Sequence, residues 1–276
     1  MVAVIYVGGM GPSAPPALPA EPIVRIAADS GLDLAVALGA DVDLVVGDLD
    51  SVSVDALAAA RVRNVEVRSS PADKDETDLE LAIVCAEALG ASQLVVIGGG
   101  GGRLDHLLGV LAALAGAARR GLEVAAYPGD DLMWLVAPGV RLELSIQPGR
   151  TVSLVPVGGP ATGVTASGLV WPLAEATLNP YEGIGVSNRA EAPRVAVEVA
   201  DGVVAVIVPD LATEGRHAAT RAAGADADAP DVGGPVTAPD DVPCPPQAAF
   251  RRDHPSNPAQ STDAVPPTRP IPSGER

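Results

Sequence analysis

The sequence predicts an α/β domain with a parallel sheet, followed by a small antiparallel β-sandwich domain and a disordered tail. Short Val/Ile-rich runs alternate with Ala/Leu-rich segments from Met1 to about Asp131. From there to Leu211, valine-rich runs are broken by Pro and Gly. Beyond Leu211 the chain has twelve prolines but only six Val, Ile, Leu or Phe residues. The predicted domain ranges are therefore 1–132, 133–211 and 212–276.

The first zone contains six runs with the length and composition of strands. They cover residues 2–7, 23–28, 43–48, 64–69, 93–98 and 122–127. Between them, segments such as Thr77–Gly90 repeat apolar residues at helical spacing. This alternation is typical of a Rossmann-like parallel sheet with crossover helices.

The second zone contains short, valine-rich runs bounded by turn residues, at 141–149, 151–159 and 195–209. This pattern predicts an antiparallel sandwich. The third zone has too little apolar surface to offset the entropy of ordering. We therefore expect residues 212–276 to be disordered.

The overall charge excludes several partners. The formal net charge is −17 and Lys74 is the only lysine, so the surface repels nucleic acid.

Cys85 and Cys244 are far apart and match neither a disulfide framework nor a zinc site, which suits a reducing cytoplasm. The N-terminus lacks a basic signal region, and the apolar run at 104–118 is shorter than the ~20 residues that span a bilayer. We expect a cytoplasmic protein without a membrane or nucleic-acid partner.

Acidic residues follow two of the predicted strands. Asp48 and Asp50 come directly after the third strand, and Asp29 follows the second. The carboxyl ends of parallel strands face a ligand crevice, and neighbouring carboxylates repel unless a cation lies between them. An ordinary acidic turn is the alternative.

The segment Asp73–Asp78, DKDETD, opens a predicted helix with Thr77 or Asp78 near its N-cap. Helix capping alone explains acidic residues at this place. The position of Lys74 within it adds weight to a site, because an ammonium group is a compact charge that suits a phosphate.

Five glycines, Gly98–Gly102, connect the fifth strand to a helix and precede Arg103 and Asp105. Backbone amides in such a loop can bind a phosphate, although the loop matches neither the P-loop nor the dinucleotide pattern and could be a flexible turn. His106 is interpreted as a helix-start residue. Together these groups indicate chemistry on a magnesium nucleotide.

The motifs GDLDS, KDETD and GGRLDH, in this order, resemble those of bacterial thiamine pyrophosphokinases. The second zone agrees, since SGLVWPL at 167–173 and GIGVSN at 183–188 resemble the family's thiamine-side motifs. The resemblance covers about Met1 to Leu211. It departs from the family at VGGM, where Asn-Gly is frequent, and at Leu49, where phenylalanine is frequent.

The resemblance implies transfer of a diphosphate from Mg-ATP to the hydroxyl of thiamine, giving thiamine diphosphate and AMP, in a homodimer whose cleft lies across two subunits. It implies Mg²⁺ as the cofactor, held by Asp48, Asp50 and Asp78. The implied catalytic residues are Asp48, Asp50, Asp75, Asp78 and Lys74. The implied ATP-binding residues are Asp29, Thr77, Gly98, Gly99, Gly102, Arg103 and Asp105. Trp171, Ser187 and Asn188 are the implied thiamine-binding residues, and a core position is the alternative for Trp171.

Other functions fit part of the sequence. DLDSV matches the nucleophile motif of haloacid dehalogenase-like phosphatases, with Asp48 as nucleophile and Asp130–Asp131 as a later acidic pair, but leaves the glycine loop unexplained. A nucleotide-sugar transferase is weakened by the few aromatic residues. A diphosphokinase acting on a pterin alcohol and a non-catalytic nucleotide-binding module remain open.

Overall fold

The computed structural model describes residues 1–18 and 23–212. Its first half contains the six predicted strands, all parallel. They are β1 Val2–Val7, β2 Ile23–Ala28, β3 Leu44–Gly47, β4 Glu66–Ser69, β5 Gln93–Gly98 and β6 Glu123–Tyr127. The predictions for the tail and for Cys244 lie outside the described residues.

Four helices cover both faces of this sheet. They are α1 Gly31–Ala37, α2 Val54–Val62, α3 Asp78–Ala88 and α4 Leu104–Arg119. Leu32 of α1 and Ala60 of α2 are buried in one apolar cluster, whereas Ile83 of α3 and Leu114 of α4 belong to another cluster. The side chains of β1 alternate between the two clusters, as expected for a strand buried on both faces.

The strand order predicts a ligand crevice beyond the carboxyl ends of the parallel strands. The order is β4-β3-β2-β1-β5-β6, so the direction of winding reverses at β1. Open α/β sheets bind ligands beyond the carboxyl ends of their strands at such a reversal. The predicted site residues after β2, β3 and β5 therefore lie together at the carboxyl end of the sheet.

Eight further strands form the predicted antiparallel sandwich. They are β7 Leu132–Val136, β8 Arg141–Ser145, β9 Thr151–Pro156, β10 Ala161–Ser167, β11 Leu173–Leu178, β12 Asn188–Arg189, β13 Arg194–Glu198 and β14 Val204–Val208. One layer has the order β11-β10-β13-β8. Residues of both layers, including Trp134, Leu144 and Leu154, pack into a third apolar cluster.

The other layer of the sandwich is continuous with the parallel sheet. β7 pairs antiparallel with β6, and β14, β9 and β12 follow it, so that ten strands form one sheet. The predicted boundary between residues 132 and 133 falls within β7. The two predicted domains thus share a sheet, which fixes the distance between their functional residues.

Within the part of the chain that the structure describes, no helix has the length and apolar character needed to cross a membrane.

Candidate active site

Three aspartates lie close together at the carboxyl ends of the parallel strands. Asp29 follows β2, Asp48 follows β3, and Asp78 lies in the first turn of α3. One carboxylate oxygen from each lies within 4.8 Å of the other two. We call Asp29, Asp48 and Asp78 the acid cluster.

Local backbone geometry makes room for this cluster. Asp29 has a φ of 46°, and its N–H donates to the carbonyl of Val46 at 2.8 Å, which ties the end of β2 to β3. Gly47 has a φ of 141°, and a Cβ there would lie 3.2 Å from the Asp29 Cβ and the Asp78 Cγ. Any other residue at position 47 would therefore press on two members of the cluster.

One buried carboxylate oxygen of the cluster has no hydrogen-bond partner among the described residues. Asp29 is only 9% exposed, and its buried Oδ1 accepts no hydrogen bond from any described residue. Burial raises the pKa of Asp29. The nearby charges of Asp78, Asp48 and Asp50 raise this pKa further, against the lowering effect of the Ser30 backbone N–H. A cation bound to Asp29 would relieve both effects, since it replaces lost solvation and neutralises the repulsion.

Lys74 adds one positive charge to the acid cluster. Its side chain is 7% exposed, and its Nζ lies 2.9 Å from Asp78 Oδ1 and 3.9 Å from Asp48 Oδ2. Three ionised carboxylates and one ammonium carry a net charge of −2. This charge and the all-oxygen donor set fit one divalent cation such as Mg²⁺. The residues present therefore fit the metal that the sequence predicts, with Asp29 in the position expected for Asp50.

Asp50 lies outside the acid cluster. Leu49 has a φ of 66°, so the chain turns after Asp48, and the exposed Asp50 accepts a hydrogen bond from Ser51 Oγ at 2.7 Å. The Asp50 N–H points back to Asp48 Oδ1 at 3.3 Å. Asp75 is also exposed and is not among the three clustered acids. Both remain predicted catalytic residues.

Thr77 is the N-cap of α3, as the sequence predicts. Its Oγ1 accepts a hydrogen bond from the Glu80 N–H at 3.2 Å, and Glu80 Oε2 accepts from the Thr77 N–H at 2.8 Å. The Thr77 hydroxyl also donates to Glu80 Oε2 at 2.9 Å. This capping box fixes the helix turn that carries Asp78.

The glycine loop is joined to the segment after β1. The N–H groups of Gly99 and Gly100 donate to the carbonyls of Gly8 and Met10 at 3.1 and 3.0 Å. At Gly98, a Cβ would lie 2.1 Å from the Val7 carbonyl oxygen, so only glycine fits. These contacts give Gly98 and Gly99 a structural role at the reversal point. Gly102 is exposed at the start of α4.

Arg103 and Asp105 form an exposed bidentate ion pair beside this loop, with Nε to Oδ1 at 3.1 Å and Nη2 to Oδ2 at 2.6 Å. The hydrogen bonds from Arg103 lower the pKa of Asp105 to about 2. Exposed pairs are weak enough for Arg103 to exchange partners. β5 and β3 are three strand spacings apart, about 14 Å. A ligand that reaches from the end of β3 to the end of β5 must therefore be elongated.

The predicted thiamine-binding residues lie together at the far edge of the sheet. Trp171 is 59% exposed, whereas Trp134 lies in the sandwich core at 9%. A core role for Trp171 is therefore wrong, because its ring is presented to solvent. Ser187 is exposed, has a φ of 56°, and donates its N–H to Ser153 Oγ at 3.0 Å. Asn188 is buried, and its side-chain amide is bonded to the backbone of Trp171.

The acidic pair required by a phosphatase lies elsewhere. Asp130 accepts a hydrogen bond from the Ser13 N–H at 2.7 Å, and Asp131 accepts from the Asp210 N–H at 3.1 Å. Both follow β6, which is four strand spacings, about 19 Å, from β3. Asp130 and Asp131 therefore cannot act on a phosphate bound to Asp48.

Two of the roles described above are not evident from local sequence. The sequence places Asp29 at a strand end but not beside Asp48, because that contact depends on the pairing of β2 with β3. Asn188 lies in a recognisable motif, yet its burial depends on the contact between β12 and the Trp171 segment.

Comparison with known proteins agrees with both halves of this architecture. Residues 18–126 match the family model "Thiamin pyrophosphokinase, catalytic domain". Residues 140–204 match "Thiamin pyrophosphokinase, vitamin B1 binding domain". Thiamine pyrophosphokinase 1 from Arabidopsis thaliana is 28% identical over 165 residues, which are 56% of this chain and 61% of that protein. The chain thus spans less than two thirds of this relative.

Solved structures share the fold. The thiamine pyrophosphokinase from Bacillus subtilis matches with a TM-score of 0.65 and 21% identity, covering 75% of this chain and 98% of that chain. The enzyme from Candida albicans matches with a TM-score of 0.61 and 14% identity, covering 75% and 88%. At these identities the likeness shows the fold alone. The two family models, which together extend from the acid cluster through the Trp171 and Asn188 segments, show that this chain belongs to the thiamine pyrophosphokinase family.

Proposed function

We propose that this chain is a thiamine diphosphokinase, which transfers the terminal diphosphate of Mg-ATP to the hydroxyl of thiamine and releases AMP. The observation that carries the proposal is the acid cluster with Lys74. It combines three carboxylates, a nearly buried ammonium and an unsatisfied buried oxygen at the crevice edge of the sheet. The match of both halves of the chain to family models supports the choice of reaction.

In this proposal Asp29, Asp48 and Asp78 hold Mg²⁺. A bound divalent ion neutralises charge on the phosphates and makes the phosphorus easier to attack. Lys74, held between Asp48 and Asp78, binds a phosphate oxygen, and its nearly buried position keeps the ammonium oriented. The exposed Asp50 and Asp75 are the proposed acceptors for the proton of the thiamine hydroxyl, because their carboxylates are open to solvent and each lies within three residues of a member of the cluster in the chain.

The rest of the nucleotide extends along the crevice toward β5. Arg103 exchanges its pairing with Asp105 for a phosphate, and Gly102 and the start of α4 lie beside it. Gly98, Gly99 and Thr77 act by shaping the loop and the helix start that border the nucleotide. The elongated shape of a nucleoside triphosphate suits the distance of about 14 Å between β3 and β5.

Thiamine binds on the sandwich, with its cationic thiazolium or its pyrimidine stacked on Trp171. The ring is exposed and available for a cation–π contact. Ser187 is the proposed hydrogen-bonding group beside it. A chain with a net charge of −17 attracts a cationic substrate and accepts ATP as its magnesium complex.

The two proposed binding regions are far apart within one chain. β12, to which Trp171 is bonded through Asn188, is eight strand spacings from β3, or about 38 Å along the sheet. We therefore propose a homodimer in which Trp171 of one subunit serves the acid cluster of the other. Exposed apolar side chains at both ends supply contact area: Met10, Leu104, Leu108, Ile184 and Val186. We propose a cytoplasmic location, without nucleic-acid or membrane partners.

The direct test is AMP formation from ATP and magnesium, measured with and without thiamine. We expect AMP and thiamine diphosphate in equal amounts, with both dependent on thiamine and magnesium. A reduced pterin alcohol serves as the competing acceptor, and a phosphomonoester tests phosphatase activity. AMP formation that requires the pterin instead of thiamine, or release of inorganic phosphate from the phosphomonoester alone, would overturn the proposal.

A further inference from the structure

We propose that Asn188 is a positioning residue that holds the backbone of Trp171 and does not itself contact the substrate. The inference rests on the proposed function in one respect, since the consequence for thiamine requires thiamine to stack on Trp171. The structural part of the inference depends only on contacts within the chain. It changes the role that the family resemblance implies for this asparagine.

The side-chain amide of Asn188 makes three hydrogen bonds. Its Nδ2 donates to the Trp171 carbonyl at 2.7 Å, and its Oδ1 accepts from the Trp171 N–H at 3.2 Å and from the Arg189 N–H at 2.8 Å. Asn188 is 3% exposed. Both lone pairs of Oδ1 are used and one Nδ2 proton is used, so the buried amide has little capacity left for a ligand.

Neighbouring bonds extend this attachment along the segment before Trp171. The Val170 N–H donates to the Arg189 carbonyl at 2.9 Å, and Leu169 forms an isolated bridge with Ala190. Leu169 is almost fully buried. The backbone of 169–171 is thus fixed to β12, whereas the Trp171 ring is more than half exposed.

An exposed ring on a fixed backbone is preorganised for stacking. Most exposed side chains lose conformational freedom when they bind a ligand, and this loss weakens binding. Asn188 lowers that loss by holding the N–H and the carbonyl of Trp171 in one geometry before substrate arrives. Its removal should raise the KM for thiamine by roughly tenfold while the KM for ATP stays unchanged.

The first experiment measures the mobility of Trp171 without substrate. In a Trp134→Phe background, Trp171 is the only tryptophan, and its fluorescence anisotropy reports its motion. We expect Asn188→Ala to lower the anisotropy. The matched control is Arg189→Ala, which removes the next side chain on β12 but keeps the backbone bonds, and should leave the anisotropy unchanged. Equal anisotropy in Asn188→Ala and the parent would overturn the positioning role.

The second experiment separates positioning from direct contact by a double-mutant cycle. If Asn188 acts through Trp171, Asn188→Ala raises the thiamine KM in the parent but adds nothing in a Trp171→Ala background. Additive increases would show that Asn188 contacts thiamine itself and would overturn the inference.

A variant that keeps part of the contact guards against misfolding. Asn188→Asp retains the two accepting contacts of Oδ1 and replaces the Nδ2 donor by an oxygen that repels the Trp171 carbonyl. A melting curve checks that this variant is folded. We expect the same loss of anisotropy and the same selective rise in thiamine KM. If the parent enzyme itself shows no thiamine dependence, the proposed function fails, and the anisotropy result still decides the role of Asn188.

Discussion

At the scale of single residues, the candidate metal ligands in the structure differ from those that the family resemblance implies. The family resemblance implies Asp48, Asp50 and Asp78 as metal ligands, whereas the structure groups Asp48 and Asp78 with Asp29. Asp48 and Asp50 are two apart, and in an extended strand they would share a face. The left-handed φ of Leu49 breaks that relation and leaves Asp50 in solvent. A leucine in this conformation is strained, and such strain clusters at functional sites.

The first prediction compares two neutral substitutions. Asp29→Asn should raise the magnesium requirement by more than the roughly 10–100-fold that loss of an outer-shell partner costs. Asp50→Asn should raise it far less, because Asp50 is exposed and outside the cluster. Magnesium titrations of AMP formation give the requirement of each variant. The rise in melting temperature on adding magnesium gives an independent reading of metal binding.

Asp75→Asn is the matched control. It removes one carboxylate at an exposed position, in the segment that also carries Asp78 of the acid cluster. It should leave the magnesium-induced rise in melting temperature intact. If Asp50→Asn abolishes that rise and Asp29→Asn preserves it, the metal site is the one that the sequence predicts and the acid cluster is not the binding site.

At the scale of the helix, Thr77 connects helix stability with the site. The capping box between Thr77 and Glu80 orders the first turn of α3, which carries Asp78. Both Thr77→Ala and Glu80→Ala should lower the free energy of unfolding by about 1 kcal/mol, the usual effect of losing a helix cap. Chemical denaturation measures this loss, and Thr77→Ser should recover most of it.

The pair also tests whether Thr77 touches the nucleotide. Because the Thr77 hydroxyl is engaged with Glu80, we expect the two alanine variants to change the ATP requirement equally and modestly. A rise in the ATP requirement confined to Thr77→Ala would show that its hydroxyl contacts the nucleotide directly, as the family resemblance implies.

The elements show how far local sequence determines this fold. The β1 and β2 runs have the predicted bounds, because Val and Ile-rich runs flanked by turn residues depend on local preferences. The LMWLV run of β7 is equally apolar, yet its pairing with β6 is a long-range contact that composition does not specify. For the same reason the shared ten-stranded sheet, and with it the distance from Trp171 to the acid cluster, comes only from the structure.

At the scale of the whole molecule, the shared sheet bears on whether one chain or two form the proposed active site. A flexible connection would allow the sandwich of one chain to fold over its own acid cluster. A continuous hydrogen-bonded sheet does not, since it keeps β12 and β3 about eight spacings of 4.8 Å apart. This separation supports the proposed homodimer, in which a second copy completes the site.

The last prediction tests the proposed homodimer in a complementation experiment. Asp48→Asn disables the acid cluster, and Trp171→Ala disables the stacking surface. Trp171→Ala should also fold normally, because the ring is exposed. Each variant alone should be nearly inactive at low thiamine. In a two-fold dimer with sites across the interface, a mixed dimer has one intact site, formed by Asp48 of one variant and Trp171 of the other. After subunit exchange of an equal mixture, half of the dimers are mixed, so activity should return to about a quarter of that of the unsubstituted enzyme.

A mixture of Asp48→Asn with Asp78→Asn is the control, because both substitutions disable the same half-site and every composite site remains defective. If each chain builds its own complete site, no mixture gains activity, and a recovery confined to the Asp48 and Trp171 pair would place the two halves of the site on different subunits.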